Sequence, residues 1–322
     1  MYSLSKIPLN IEIAQSIVAH HFGSQRKVAE FEELHEGFFN AAARLTLDDG
    51  LHCVLKAAPK DDVKGLRYEK DIMKAEVESM RLVKARTGVP VPNILAYDTS
   101  RRLLPSDFFM MTMLPGCPLH KIRKEIPSEQ QAEIERNLGR MAYEMSQITG
   151  EAFGYWSQPQ QPSATWRATF LEMVDGVIQD GKDKDVKLPL PYEDLYALME
   201  RHFDALDEVI TPRLVHWDIW DGNVFVDPQT CQITGLIDFE RVLWGDPLME
   251  AFFGSRDPNS HYAAGFGQGA LATRAQVQRR MLYNTYLWMI MIIETFYRKY
   301  DNDWQINWTI ERMNEEIKLL SA

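Results

Sequence analysis

Two short stretches fix most of what this chain can become. Residues His216, Trp217, Asp218, Ile219, Trp220, Asp221, Gly222 and Asn223 read H-x-D-x-x-x-x-N, and Ile237, Asp238, Phe239 and Glu240 put another acid behind an apolar run. Between them, Val224, Phe225 and Val226 form one apolar run that stops at Asp227 and Pro228, and residues 233–237 form a second. Short apolar runs separated by turn residues read as an antiparallel hairpin. Asn223 then enters the hairpin and Asp238 leaves it, so both side chains lie at one end.

That arrangement suits phosphoryl transfer, which asks a protein mainly to orient an attacking hydroxyl and to neutralise phosphate oxygens. A loop aspartate can take the hydroxyl proton, and Asp218 is the candidate. The amide oxygen of Asn223 and the carboxylate of Asp238 are candidate ligands for Mg²⁺, which binds a few protein oxygens and completes its octahedron with water and phosphate. Gly222 permits the tight turn that brings Asn223 back. A metal-dependent hydrolase using Asp218, Asp238 and His216 is a competing chemistry, but the sequence offers no multi-histidine ligand set for it.

At these residues, most strongly from Leu214 to Phe253, the sequence resembles the aminoglycoside phosphotransferase and choline kinase superfamily. The resemblance implies an α+β, two-lobed, protein-kinase-like fold, with an N-terminal antiparallel sheet plus helix and a larger, mostly helical C-terminal lobe. It assigns residues 1–112 to a nucleotide-binding lobe and 113–322 to a catalytic and acceptor-binding lobe. It also implies ATP or GTP as the nucleotide, with Mg²⁺. Lys56, ending the apolar strand Val54-Leu55-Lys56, is similar to the lysine that grips the α and β phosphates, and Glu76 to its ionic partner. In a helix over residues 66–84, Ile72, Val77, Met80 and Val83 approximate one face. Glu76 lies between Ile72 and Met80 at four-residue steps and shares their inward side, whereas Glu78 points elsewhere.

Residues 27–35, 41–47 and 51–57 read as antiparallel strands, the last two joined by Asp48, Asp49 and Gly50. Gly37 and Asn40 lie where the nucleotide would be covered, although Gly37 also reads as a simple turn glycine. The G-x-G-x-x-G of protein kinases is absent. Val89-Pro90-Val91-Pro92 is a stiff extended entry, followed by strands over 93–97 and 107–113 and a hinge exit at Leu114, Pro115 and Gly116. Backbone groups from Met111 to Met113 are the candidate base contacts.

Helical patterns cover residues 128–148, 165–180, 192–209, 276–300 and 307–320. Asp246 and Pro247 suit the cap and first residue of a short helix, a structural role. Only Glu240 to Trp244 separate Asp238 from Gly245-Asp246-Pro247, leaving no room for a long activation loop or its A-P-E end. A small-molecule acceptor follows, with Glu240, Trp220 and Glu250 as candidate contacts and Trp166 and Trp244 as further wall candidates. The D-x-W-x-G-N run from Asp218 to Asn223 is similar to that of ketosamine (fructosamine) kinases. Aminoglycoside, amino-sugar and choline-like acceptors stay open, as does a non-catalytic nucleotide-binding scaffold.

With 322 residues, 45% hydrophobic and 25% charged, the chain can bury a core large enough for two lobes. A net charge of -11 disfavours nucleic acid. Residues 282–296 are apolar, but Asn284 and Glu294 interrupt them, so a buried helix is expected rather than a membrane span. Cys53, Cys117 and Cys231 are scattered and read as free thiols; with no signal-peptide pattern at the N-terminus, a cytoplasmic protein is expected.

Overall fold

The computed structural model describes residues 6–35, 40–60, 63–159, 164–267, 269–298 and 303–322. Helix α1 (Ile11–Phe22) comes first, capped by Asn10, whose side chain accepts from the Ile13 amide at 2.8 Å. Strands β1 (Val28–Leu34), β2 (Ala41–Leu47) and β3 (His52–Ala57) follow, then α2 (Ile72–Arg86), β4 (Ile94–Asp98) and β5 (Phe108–Thr112). The strands form one antiparallel sheet in the order β1-β2-β3-β5-β4. Helix α2 begins later than the sequence pattern suggests, because Asp71 adopts a left-handed conformation (φ 52°) that breaks the helix before Ile72.

Phe108-Phe109-Met110-Met111 is apolar without alternation because β5 is covered on both faces. Phe108 and Met110 join a core with Ile17 and Val18 of α1, while Phe109 and Met111 join the core that contains Val77 and Met80 of α2. Strands buried on both sides need apolar residues at every position. The sequence reading has no counterpart to α1, which buries Ala14, Ile17 and Val18 at helical spacing.

Beyond β5 the chain continues through β6 (Cys117–Pro118), α3 (Leu119–Ile122), α4 (Ser128–Ser146), β7 (Gly154–Tyr155), β8 (Gln158–Pro159), α5 (Trp166–Asp183) and α6 (Tyr192–Glu200). Next come β9 (Arg213–Val215), β10 (Val224–Val226), β11 (Ile233–Leu236), β12 (Leu243–Gly245), α7 (His261–Phe266), α8 (Arg274–Arg298) and α9 (Asp303–Ser321). The single helix expected over 192–209 is instead α6 followed by a separate 3₁₀ segment, Phe203–Glu208. Phe203 and Leu206 are its buried anchors, and their three-residue spacing matches a 3₁₀ turn.

Two small sheets position the motif residues. β10 pairs with β11 as a hairpin and with β6 on its other edge. The Ile237 amide donates to the Asn223 carbonyl at 3.1 Å, so pairing runs to the ends that carry Asn223 and Asp238. β9, which leads into His216, is held by β12 in the sheet β8-β7-β12-β9. Gly116 bends the chain after β5 at φ 85°, where a Cβ would stand 2.1 Å from the Val226 carbonyl oxygen, so glycine is required.

Helix α8 carries the apolar run 282–296 through the core, and among the described residues no helix is long and apolar enough to cross a membrane. All three cysteines are unpaired. Helices α4 and α7 cross on two glycines: a Cβ on Gly139 would stand 2.1 Å from the Tyr262 carbonyl oxygen, and one on Gly265 would stand 2.0 Å from that of Arg136. These neighbours are backbone and cannot rotate away. Gly139→Ala is expected to lower unfolding free energy by about 1–3 kcal/mol in urea denaturation despite alanine's better helix propensity. Unchanged or increased stability would show that the helices can separate without cost.

Candidate active site

Strand β3 alternates Leu55 and Ala57 into the α1 core with Lys56 on the opposite face. The Lys56 Nζ donates to Glu76 Oε2 at 2.7 Å and to Asp238 Oδ1 at 2.7 Å, and lies 3.8 Å from Glu240 Oε2. Glu76 comes from the inward face of α2 and is 1% exposed. Burial alone would lower the Lys56 pKa, but Asp238, Glu76 and Glu240 outweigh it and hold the ammonium protonated. Burial raises the Asp238 carboxyl and Lys56 pulls it down further than that, to a net value below the ordinary one. Asp238 sits in the left-handed region (φ 68°), turning the chain directly after β11.

Glu76, Asp238 and Glu240 each offer an oxygen within 4.8 Å of the others. Three carboxyl groups sharing one ammonium make an acid excess that suits a further cation with oxygen ligands. Asn40 joins this cluster: its Nδ2 donates to Glu240 Oε2 at 2.9 Å, and its Oδ1 is buried with no partner among the described residues.

The loop from His216 to Asn223 is fastened at several points. Asn223 Nδ2 donates to the Asp218 carbonyl at 2.9 Å and to Asp218 Oδ2 at 3.1 Å, which leaves Oδ1 for another electropositive partner. His216 Nδ1 accepts from the Asp218 amide at 3.2 Å while Nε2 lies 3.1 Å from the Ile237 carbonyl. Burial pulls the His216 pKa down to about 4, so the ring is neutral with its proton on Nε2, donated toward Ile237. Asp221 accepts from Arg123 Nη1 at 2.7 Å. Burial pushes the Asp218 carboxyl up to about 7; Arg241 opposes the rise, and Asp238 and Glu240 add to it. A partly exposed carboxyl group with that affinity for protons is suited to accepting one from a hydroxyl.

Several candidates take a different place from the one the sequence suggested. Glu250 is not a pocket wall: it is 2% exposed, and its two oxygens accept from the backbone amides of His216 at 2.7 Å and Trp217 at 3.1 Å. Glu250→Gln leaves one of those buried amides facing a second donor. The expected result is a loss of about 1–3 kcal/mol in denaturant unfolding, and wild-type stability would remove Glu250 as the anchor of this loop. Amide donors for base recognition are not free over Met111 to Met113, since Met111 is inside the ladder opposite Val54 and Ile94, the Thr112 amide donates to Asn93 and the Met113 amide to His52.

Gly37 lies outside the described residues. Gly222 is not in the left-handed region, and a Cβ there would stand 2.2 Å from the ring of Trp220, a side chain with room to move. Trp220 itself is half exposed and stacks on His120 at 5.9 Å. Trp166 is core, donating to the Tyr283 hydroxyl, and Trp244 is partly buried and stacks on Trp156. Asp246 caps the 3₁₀ turn Pro247–Met249 by accepting from the Leu248 amide and also binds Arg279, a structural role.

One group near Asp218 escaped the sequence reading. Arg241, 9% exposed, donates to Glu294 of α8 at 3.0 Å, and Arg298 on the same helix pairs with Glu69. Glu294 inside an apolar run was the available signal. A lone acid in a buried helix requires a cationic partner.

The family model described as "APH: Phosphotransferase enzyme family" matches residues 30–280. Among solved structures, a thermostable mutant of aminoglycoside phosphotransferase APH(4)-Ia in ternary complex with ADP and hygromycin B is similar, with TM-score 0.65 and 16% identity over 94% of this chain and 97% of that one. The GDP complex of wild-type aminoglycoside 2'-phosphotransferase-IIIa gives TM-score 0.67 and 16% identity, covering 97% of this chain and 99% of the other. A GDP and kanamycin complex of a related 2''-phosphotransferase gives 0.64 and 18%, covering 95% and 98%. At these identities the likeness is one of fold, the two-lobed kinase-like architecture. No curated protein matches the sequence.

Proposed function

The chain belongs to the phosphotransferase enzyme family, and from that premise we propose that it moves the γ-phosphate of ATP or GTP to a hydroxyl of a small molecule with the help of Mg²⁺. Lys56 positions the phosphates, and Glu76 fixes Lys56. Asp218 orients the acceptor hydroxyl and takes its proton. Asp238 and Asn223 would hold Mg²⁺, with Glu240 beside them, and the ion would supply neutralisation of phosphate charge. In this reading residues 1–112 form the nucleotide side and 113–322 the catalytic and acceptor side.

The observation that carries the reading is Lys56, which reaches Glu76 and Asp238 at 2.7 Å each, three residues far apart in sequence converging beside the Asp218–Asn223 pair. Support comes also from neighbours in complex with ADP or GDP, two of them holding an aminoglycoside as well. Aminoglycoside, amino-sugar, ketosamine and choline-type acceptors are the classes to separate. No observation favours a non-catalytic scaffold.

The test is a thermal-shift assay with ATP or GTP and Mg²⁺, followed by nucleoside diphosphate release across those acceptor classes. A metal-dependent rise in melting temperature and acceptor-stimulated release are expected. Nucleotide binding without stimulated release from any hydroxylated acceptor would return the scaffold reading.

A further inference from the structure

We propose that His20, His21 and Asp98 form a binding site for a divalent transition-metal ion of the zinc type, which staples the C-terminal end of α1 to the sheet. The site stands apart from the phosphotransfer chemistry, because it lies on the face of the sheet that α1 covers, whereas Lys56 projects from the other face.

Helical and strand periodicity bring the three residues together. Ala14, Ile17 and Val18 are the buried residues of α1, and His21 continues their stripe, four residues after Ile17 and three after Val18. On β4, Ala96 faces the α1 core, and Asp98, two residues on, shares that face. Asp98 pairs with Phe108 at the start of β5, and the Phe108 ring meets the His21 ring edge to face at 5.8 Å. His20 closes the group from the solvent side, its ring set edge to face against His21 at 4.9 Å. An apolar residue would fill the stripe position at no polar cost; the chain instead puts an imidazole there, opposite an aspartate that is 8% exposed.

The distances are those of ligands sharing an ion. His21 Nε2 lies 3.5 Å from Asp98 Oδ2 and is buried with no hydrogen-bond partner among the described residues. An N–H···O bond spans roughly 2.7–3.2 Å. Two atoms bound at about 2.1 Å to one tetrahedral ion stand about 3.4 Å apart, close to the separation seen. A ring nitrogen of His20 completes a set of three ligand atoms, all within 4.8 Å of one another, and His20 is exposed, so its ring can turn to close the remaining distance. The Ser100 amide donates to Asp98 Oδ1 at 2.7 Å, which fixes the carboxylate and leaves Oδ2 for the ion. No lysine or arginine competes for Asp98 among the described residues, where His21 is its one ion-pair contact.

Two imidazoles and one carboxylate also select the metal. Mg²⁺ and Ca²⁺ take oxygen ligands, whereas Zn²⁺, Co²⁺ and Ni²⁺ accept imidazole nitrogen. Three protein ligands leave the fourth position of a tetrahedral ion to water.

The test uses the full chain, stripped with a chelator and desalted, with excess Mg²⁺ present so that the acids around Lys56 do not take up the added metal. Calorimetric titration with zinc should show a site that His20→Ala and Asp98→Asn each weaken by at least about tenfold. Saturating zinc should raise the melting temperature of wild type and raise it less in either variant. His20→Ala changes an exposed side chain, and Asp98→Asn keeps the shape of the residue and an oxygen for the Ser100 amide, so both address the site and not the fold. Co²⁺ in place of zinc should give visible absorption without the near-ultraviolet bands of a bound thiolate. The proposal is overturned if wild type binds no zinc, if either variant binds it as tightly as wild type, or if thiolate bands place the ion on Cys117 or Cys231.

Discussion

Replacing Asp218 with alanine is expected to reduce acceptor-stimulated turnover by about 10²- to 10⁴-fold, the usual contribution of a positioned acid or base. Nucleotide affinity should change little, because Lys56 donates to Glu76 and to Asp238 without any part played by Asp218. The fold around it should hold: the loop is anchored by Glu250 on the His216 and Trp217 amides and by Arg123 on Asp221. Asp218→Asn refines the result, since its side-chain carbonyl can still accept from Asn223 but is too weak a base to take a proton. Steady-state turnover together with calorimetric nucleotide titration gives both quantities. Turnover in Asp218→Asn equal to wild type would mean that the residue only organises the loop, and turnover in Asp218→Ala equal to wild type would remove it from the chemistry altogether.

The second large effect is expected at Asp238. Its carboxylate accepts from Lys56 at 2.7 Å and lies within reach of Glu76 and Glu240. Truncation to alanine removes one partner from a partly buried, hydrogen-bonded charge group, a change that costs about 2 kcal/mol in binding, or about thirtyfold in affinity. The loss should be concentrated in the Mg²⁺-dependent part of nucleotide binding, so titrations with and without the metal should converge in the variant. Lys56 retains Glu76 at 2.7 Å, and the protein should stay folded, which a thermal melt checks independently. Wild-type, metal-dependent affinity in Asp238→Ala would reject a role for this residue in holding the ion.

Much of the site was legible in the sequence, and for local reasons. The hairpin β10–β11 follows from two apolar runs around a turn, and it alone puts Asn223 and Asp238 at one end. Glu76 was legible because helical periodicity places it on the buried side of α2 with Ile72 and Met80, although its link to Lys56 came through a family resemblance. Glu250 shows where this reading stops. A glutamate next to aromatic residues looks like a contact for a ligand until the backbone of His216 and Trp217, more than thirty residues earlier, is found to occupy both oxygens.

The occupied amides of the base-recognition segment were hidden in the same way. Nothing in Met111-Thr112-Met113 states that β5 lies between β3 and β4, with amides already donated to His52 and Asn93. Arg241 and Glu294 could not be matched from sequence either. Glu294, inside an apolar run, called for a cationic partner, but that partner is Arg241 only because the fold brings α8 beside the turn after Asp238 and buries both.

By itself, then, the sequence determined the order and spacing of the polar groups, the strands and helices that carry them, and the phosphotransferase chemistry they suit, because hydrophobic periodicity and turn residues act over a few positions. Only the tertiary structure decided which acids meet Lys56 and which backbone amides are occupied before any ligand arrives. Those outcomes depend on burial and on long-range contacts, which set the pairing and protonation of a side chain and leave no mark on its immediate neighbours in the chain.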